Sequence, residues 1–299
     1  MNLRQIEVFR ATMLTGSTAD AARLLHVSQP GISRMIGHIE LQLGVSLFER
    51  GKGRLKPTPE AHALYAEVEQ VYRGVQRIDA RAHALKSGGG LELRVLATPS
   101  TLQEAVPAAL ASLSVDYPDS RLYVETQLVR EMVRLLSIGE ADVGISSLPI
   151  DHAPLVTDVV GAWSLSCVFQ RGHRFERESA VSLSEIVKER RIAFSPDTPQ
   201  GRLVAQAYPD GIDPARQRIE VRSGQIACAL AAAGAGVAVV DNLTARAWQN
   251  DRLSFRPIRK APTYKVFRVR NPNSPSSGLE NAFVQRVRQG FRALAPKRV

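Results

Sequence analysis

Four residues, Ser87-Gly88-Gly89-Gly90, divide this chain into two parts with different rhythms. Ahead of them, apolar residues recur every three or four positions, the spacing of helices with one buried face. Behind them, short apolar runs that read as strands alternate with helical stretches. Three glycines in a row form a flexible joint. The chain is therefore expected to pair a helical N-terminal region with an α/β domain over residues 91–299, hinged at 87–90.

In the helical part, Leu3, Ile6, Phe9 and Met13 mark a first helix, which Gly16 and Ser17 end. Ala21, Ala22, Leu24 and Leu25 give the next helix a compact apolar side, and His26-Val27 is a short connection. A third helix opens at Ser28 or Gln29, with Ile32, Met35, Ile36 and Ile39 at i, i+3, i+4 and i+7. Three short helices, the last two joined by a tight turn, describe a helix-turn-helix. Pro30 in the first turn of the third helix costs no intrahelical bond, because those N–H groups are unpaired anyway. They are left to face a phosphate.

The apolar face leaves Gln29, Ser33, Arg34 and His38 outside. Gln pairs bidentately with adenine, Arg with guanine, and Ser with either base type. Together with Ser17, Thr18, Ser28 and Pro30 at the helix starts, they form the expected DNA face. Gly31 fits two readings equally: close approach of backbone to DNA, or simple accommodation of the helix start. The following LGVSLFERGKGRLKPT reads as a hairpin wing carrying Arg50, Lys52, Arg54 and Lys56. These cations suit phosphate contacts, which position without specifying, although a solvated hairpin tip would look the same.

The charge balance agrees with this. A net charge of +10 and an isoelectric point near 10.0 suit a polyanion partner, although many basic proteins only carry a solvated surface of this kind. No apolar run approaches the ~20 residues of a membrane span, and MNLRQIEVFR lacks the order of a signal peptide, which points to the cytoplasm. Cys167 and Cys228 lie far apart in apolar runs and read as reduced core residues. No metal site or cofactor is expected.

Thr58-Pro59-Glu60 is a helix-start signature. From it Leu64, Val68, Val71, Val75, Ile78, Ala82 and Leu85 recur with alternating steps of four and three, an a/d seam along a helix over 60–86. Such a seam asks for a partner helix. Packing against its own domain is the alternative, but a small helix-turn-helix is too short to cover it all.

Beyond the joint, the α/β part falls into two strand–helix sets with mainly parallel sheets. A first lobe is expected at about 91–162 and 267–299, and a second at about 163–266. Ligands of open α/β sheets bind beyond the carboxyl ends of strands. Polar clusters occupy four such places. Thr98-Pro99-Ser100-Thr101 follows the first strand and opens a helix; Ser146 and Ser147 follow DVGI. Ser195, Asp197 and Thr198 follow RIAF, and Ser223 and Gln225 open the helix before GVAVV. Helix capping explains any one of them alone. Together they describe a crevice for a small polar ligand. Hydroxyls and helix N-termini suit a carboxylate, whereas Asp197 suits an amino or guanidino group.

Residues 1–59 resemble the N-terminal domain of the LysR-type transcriptional regulators. The resemblance is carried by LRQIEVF, GSTADAARLLHVSQPGISRMIGHIE, LGVSLFER and the Pro57-Thr58-Pro59 helix start. Length and domain order agree with the family across the chain. The resemblance implies a winged helix-turn-helix, a dimerising linker helix and commonly a homotetramer. It also implies a two-lobed effector-binding domain like the periplasmic binding proteins. The implied partners are promoter DNA, a small effector and RNA polymerase. Met1 to Leu14 and AFSPDTP look most like the branch that senses amino acids or opines. Ala19 stands where the family usually has Thr, and Gly31 where it usually has Ala.

Other classes fit less well. No H-E-x-x-H, P-loop or G-x-S-x-G motif is present, and GAGVAVV opens a strand rather than a helix, so an enzyme is not expected. A solute-binding protein would lack the basic N-terminal domain. An architectural DNA-binding protein would have no use for the cleft domain.

Overall fold

Asn2 and Gln5 cap each other reciprocally to begin α1 (Leu3–Thr15), and Gly16 ends it in the left-handed region at φ 66°. The buried face of α1 is Gln5, Val8, Phe9 and Thr12; Leu3 is 61% exposed, and Ile6 and Met13 are half-buried. Ile6, Phe9 and Met13 thus pack on the core as expected, Phe9 against Phe48 and Tyr65, while Leu3 does not and Gln5, Val8 and Thr12 widen the buried face. The computed structural model describes residues 1–50, 55–86, 91–207 and 217–294, so the hinge 87–90 and the wing residues Lys52 and Arg54 lie outside it. Contacts divide the chain into two compact units, Met1–Gly89 and Gly90–Val299.

In the first unit, α2 (Thr18–Leu24) is capped by the Ser17 hydroxyl and leads into α3 (Gln29–Leu43). Ala21 and Ala22 are buried and Leu25 is partly buried, whereas Leu24 is 53% exposed. The turn between α2 and α3 is a Schellman motif. The Val27 N–H donates to the Ala22 carbonyl and the His26 N–H to that of Arg23, with His26 at φ 54°. Strands β1 (Phe48–Arg50) and β2 (Leu55–Pro57) pair antiparallel as the wing, Glu49 opposite Lys56. The wing is tied at both ends. Glu40 of α3 accepts from the N–H groups of Leu47 (2.7 Å) and Phe48 (3.1 Å), and the Leu55 N–H donates to the Gly16 carbonyl.

Thr58 caps α4 (Pro59–Lys86), 28 residues and about 42 Å long. Its first turns belong to the unit's own core. Val68 is 4% exposed, and Leu64 packs on the same cluster. Within the single chain these two residues therefore pack on its own domain, Val68 buried and Leu64 half-buried. Farther along the seam Val71 is 46% exposed and Val75 half-buried. The side chains of Ile78, Ala82 and Leu85 lie outside the description.

In the second unit β3 (Glu92–Ala97), α5 (Ala105–Asp116), β4 (Arg121–Thr126), α6 (Val129–Ser137) and β5 (Val143–Ser146) build one lobe. A 15-residue strand, β6 (Val156–Gln170), then crosses into the other. That lobe holds α7 (Leu183–Ile186), β7 (Arg191–Phe194), α8 (Pro199–Ala207), β8 (Gln217–Val221), α9 (Gly224–Ala232) and β9 (Val237–Asp241). It ends with α10 (Asn242–Ala247) and β10 (Leu253–Pro257), and β11 (Thr263–Arg270) returns to the first lobe, followed by α11 (Gly278–Leu294).

The sheet runs β4-β3-β5-β11-β6-β9-β7-β8. Each lobe has three parallel strands in the order second, first, third: β4-β3-β5 and β8-β7-β9. The crossing strands β6 and β11 run antiparallel to these, so the sheet is mixed rather than mainly parallel. Pairing on β6 changes hands after Ser164: it faces β11 up to that residue and β9 from Leu165. Gly161 on β6 lets α11 pack closely, since a Cβ there would overlap the ring of Phe291.

Candidate DNA-reading surface and effector crevice

On α3, Ile32, Ile36 and Ile39 are buried and Met35 packs beside them, so the opposite face is fixed. Gln29, Pro30, Ser33, Arg34 and His38 are all exposed on it. Gln29 Nε2 reaches Thr18 Oγ1 at 3.4 Å, linking the starts of α2 and α3. The Ser17 hydroxyl is spent on its cap, accepting from the Ala19 and Asp20 N–H groups. Ser28 is the N-cap residue of α3, yet its side chain makes no capping bond. His38 is shared: its Nδ1 lies 3.3 Å from Gln5 Nε2, so it braces α3 against α1. A Cβ on Gly31 would meet the Ser28 hydroxyl at 3.2 Å, so the glycine leaves that hydroxyl room. Lys56 is exposed on β2, while the side chain of Arg50 lies outside the description.

In the α/β unit, each lobe has a switch point where the first strand's neighbours lie on opposite sides: between β3 and β5, and between β7 and β9. Ligands of such sheets bind at these crevices. The first is closed by a hydrogen bond between the Thr98 and Ser147 hydroxyls (3.1 Å), with the Ser147 N–H donating to Thr98 Oγ1 at 3.0 Å. Trp163, stacked on Tyr264, donates its indole N–H to the Ser147 carbonyl.

Beside the second, at the carboxyl ends of β7 and β8, the Ser195 hydroxyl donates to Asp197, and Arg222 pairs with the same carboxylate at 2.8 Å. These two bonds, Ser195 first, hold the Asp197 carboxyl below the ordinary carboxylate range. The two switch points are linked. Ser100 of the first lobe donates to Asp241 Oδ2 at 3.0 Å, and Gln200 in the first turn of α8 approaches the same oxygen at 3.4 Å.

Asp241 went unnoticed in the sequence. It ends β9, is 1% exposed and caps α10 through the Thr244 N–H (2.8 Å) and hydroxyl (2.9 Å). Burial pushes its carboxyl above the ordinary range, against the Thr244 and Ser100 hydrogen bonds. The signal was available: GVAVVD ends on a polar residue at a strand's carboxyl end, as DVGIS does. Arg222, directly after β8, was overlooked in the same way.

Several expected ligand hydroxyls are spent inside the fold. Thr101 donates to the Thr98 carbonyl from a turn, since α5 begins four residues later than expected. Ser146 bonds both ways with Leu148. Thr198 donates to the Ser195 carbonyl and accepts from the Gly201 N–H. Of the remaining expected residues, Asp197 is exposed beside Arg222, Pro99, Ser223 and Gln225 are half-buried, and Thr98, Ser100 and Ser147 are buried. A separate cavity of about 200 Å³ under α8 is walled largely by apolar residues such as Ile192, Phe194 and Val204.

Cys167 and Cys228 are buried free thiols, and burial raises both, Cys228 to about 12. Among the described residues no group of His, Cys, Asp or Glu is placed to hold a metal. No described helix is long and apolar enough to cross a membrane.

Two family profiles cover the chain: the bacterial regulatory helix-turn-helix protein, lysR family, at residues 3–62, and the LysR substrate binding domain at residues 86–292. The regulatory protein NocR of Agrobacterium fabrum is 33% identical over 97% of both chains. The octopine catabolism/uptake operon regulatory protein OccR of Rhizobium meliloti is 30% identical over 95% of this chain and 94% of its own. Full-length CbnR in complex with its target DNA has the same fold, with a TM-score of 0.75 at 23% identity over 97% of this chain and 100% of its own. With an exposed recognition helix, a paired wing and a two-lobed sensor domain all in place, the chain belongs to the LysR family of DNA-binding transcriptional regulators.

Proposed function

We propose that this regulator, acting in the cytoplasm and not as an enzyme, reads an operator through α3 and binds an amino-acid-like or opine-like effector between its lobes. The observation that carries the ligand reading is the exposed Asp197 carboxylate beside a switch point whose nearby hydroxyls are mostly committed. A cationic nitrogen answers that carboxylate, and the OccR relative is named for octopine. Calorimetric titration with amino acids, octopine, aromatic acids and plain dicarboxylates tests it. Binding confined to aromatic acids or dicarboxylates refutes it.

On the DNA side, Gln29, Ser33 and Arg34 read bases, and Lys56 with the other wing cations holds phosphates. Paired helices α4, meeting from Val71 onward, make a dimer whose recognition helices lie about 34 Å apart, one turn of DNA. Two dimers make the tetramer, and RNA polymerase is a further partner. Effector binding redistributes arrangements of the oligomer only by binding one of them better. Arg34→Ala is expected to weaken specific binding and relax preference at one base pair, at a cost of about 1–3 kcal/mol. Lys56→Ala is expected to weaken all sequences alike. Full selectivity of Arg34→Ala in a mobility-shift assay would remove Arg34 from the reading set.

A further inference from the structure

We propose that Arg222 is the anchor for the effector's carboxylate and, until the effector arrives, the counter-ion of Asp197. The inference rests on the zwitterionic reading above and adds the residue that selects for it. Strands β7 and β8 are parallel neighbours with Phe194 opposite Val221. The chain therefore leaves the sheet side by side at Ser195 and Arg222, at the carboxyl ends of β7 and β8 next to the switch point. There Arg222 Nη1 lies 2.8 Å from Asp197 Oδ2, the Ser195 hydroxyl holds the other carboxylate oxygen, and Arg202 donates to the Asp197 backbone carbonyl.

The pair is built to be exchanged. Its side chains are 67% and 61% exposed, so water already screens it, and exposed pairs of this kind contribute little to folding. Asp241 is the contrast: it is 1% exposed and accepts from Ser100, Gln200 and the Thr244 N–H and hydroxyl. A ligand bearing both charges replaces the pair with two like it: its cationic nitrogen meets Asp197 and its carboxylate meets Arg222. The ledger of charges then balances as it did before. A pure anion meets Asp197 beside Arg222, and a pure cation meets Arg222 beside Asp197, so each pays for a repulsion. The place for the carboxylate has a further donor. Arg222 immediately precedes Ser223, the N-cap residue of α9, whose hydroxyl makes no capping bond and stays available to a carboxylate.

The test is titration calorimetry of the full chain with octopine, L-arginine, L-glutamate, glutarate and cadaverine. At least one of the first three is expected to bind the wild type, with glutarate and cadaverine at least tenfold weaker. Arg222→Gln is expected to weaken that ligand tenfold or more and Arg222→Lys less, with unchanged melting temperatures showing intact folding. Asp197→Asn is expected to lose the same ligand and to gain on glutarate. If Arg222→Gln binds the wild-type ligand unchanged, the role of Arg222 falls while the amino-acid-like effector stands. If glutarate or cadaverine binds best, or none of the five binds, both fall.

Discussion

Replacing Asp241 by alanine is expected to destabilise the α/β unit by about 3 kcal/mol, and the size follows from its bonds. The cap on α10 through the Thr244 N–H is worth about 1 kcal/mol. The Ser100 and Thr244 hydroxyls lose a buried acceptor, at about 1 kcal/mol each. At roughly 2–4 °C per kcal/mol for a domain of this size, the melting temperature drops by about 6–12 °C. The pH dependence separates this from mere loss of packing. Burial raises the folded-state pKa of Asp241, so the folded chain holds its proton at pH values where the unfolded chain has released it. Its contribution is then fully present below the ordinary carboxylate value and declines as pH rises through the raised one. Thermal unfolding of wild type and Asp241→Ala from pH 4.5 to 8 is expected to show a gap that narrows with rising pH. Asp241→Asn, which keeps the Thr244 cap, is expected to stay closer to wild type. A gap that widens with pH would falsify the assignment, since the carboxylate would then be favoured by its surroundings rather than opposed by them.

Two further outcomes concern the backbone. His26→Gly should raise the urea midpoint of the N-terminal unit by the equivalent of about 0.5–1 kcal/mol, because His26 pays for a left-handed φ of 54° that glycine adopts freely; a lowered midpoint would show that the imidazole contributes more than the turn costs. Gly161→Ala should destabilise the α/β unit by about 1–3 kcal/mol by forcing a methyl into the Phe291 ring. Combining it with Phe291→Ala should cost less than the sum of the two single changes, and strict additivity would mean that the two sites do not touch.

What the sequence revealed depended on whether one signal dominated locally. In α3 the isoleucine spacing, the early proline and the exposed polar face agreed, and the structure bears them out at Ile32, Ile36 and Ile39. In α1 they did not agree, because polar residues take core positions by satisfying themselves locally. Thr12 donates to the Val8 carbonyl, and Gln5 is held by Asn2. Apolar spacing alone then finds Ile6, Phe9 and Met13 but misses the polar part of the buried face. Strand β6 was only half visible: its second half is the apolar SLSCVFQ, but its first half carries Thr157, Asp158 and Gly161 because it faces β11 and α11 in the other lobe. The heptad seam ran as one pattern through α4, yet Val68 belongs to the local core, since spacing records burial and not whose surface does the burying.

The same distinction decides the chemistry of the crevice. Counted in the sequence, Thr98, Ser100, Thr101, Ser146, Ser147, Ser195 and Thr198 are so many hydroxyl donors, a set that suits a carboxylate. In the folded chain Thr101, Ser146 and Thr198 give their protons to backbone carbonyls, Ser195 gives its own to Asp197, and Ser100 gives its own to Asp241. With its proton given to Asp241, Ser100 offers lone pairs, the same polarity as Asp197. Such acceptors suit a cationic nitrogen, while the strong donors that suit an anion gather at Arg222 and the start of α9. A group of hydroxyls that looked uniform is thereby sorted into an acceptor side and a donor side, and that polarity, more than the number of hydroxyls, calls for a ligand carrying both charges.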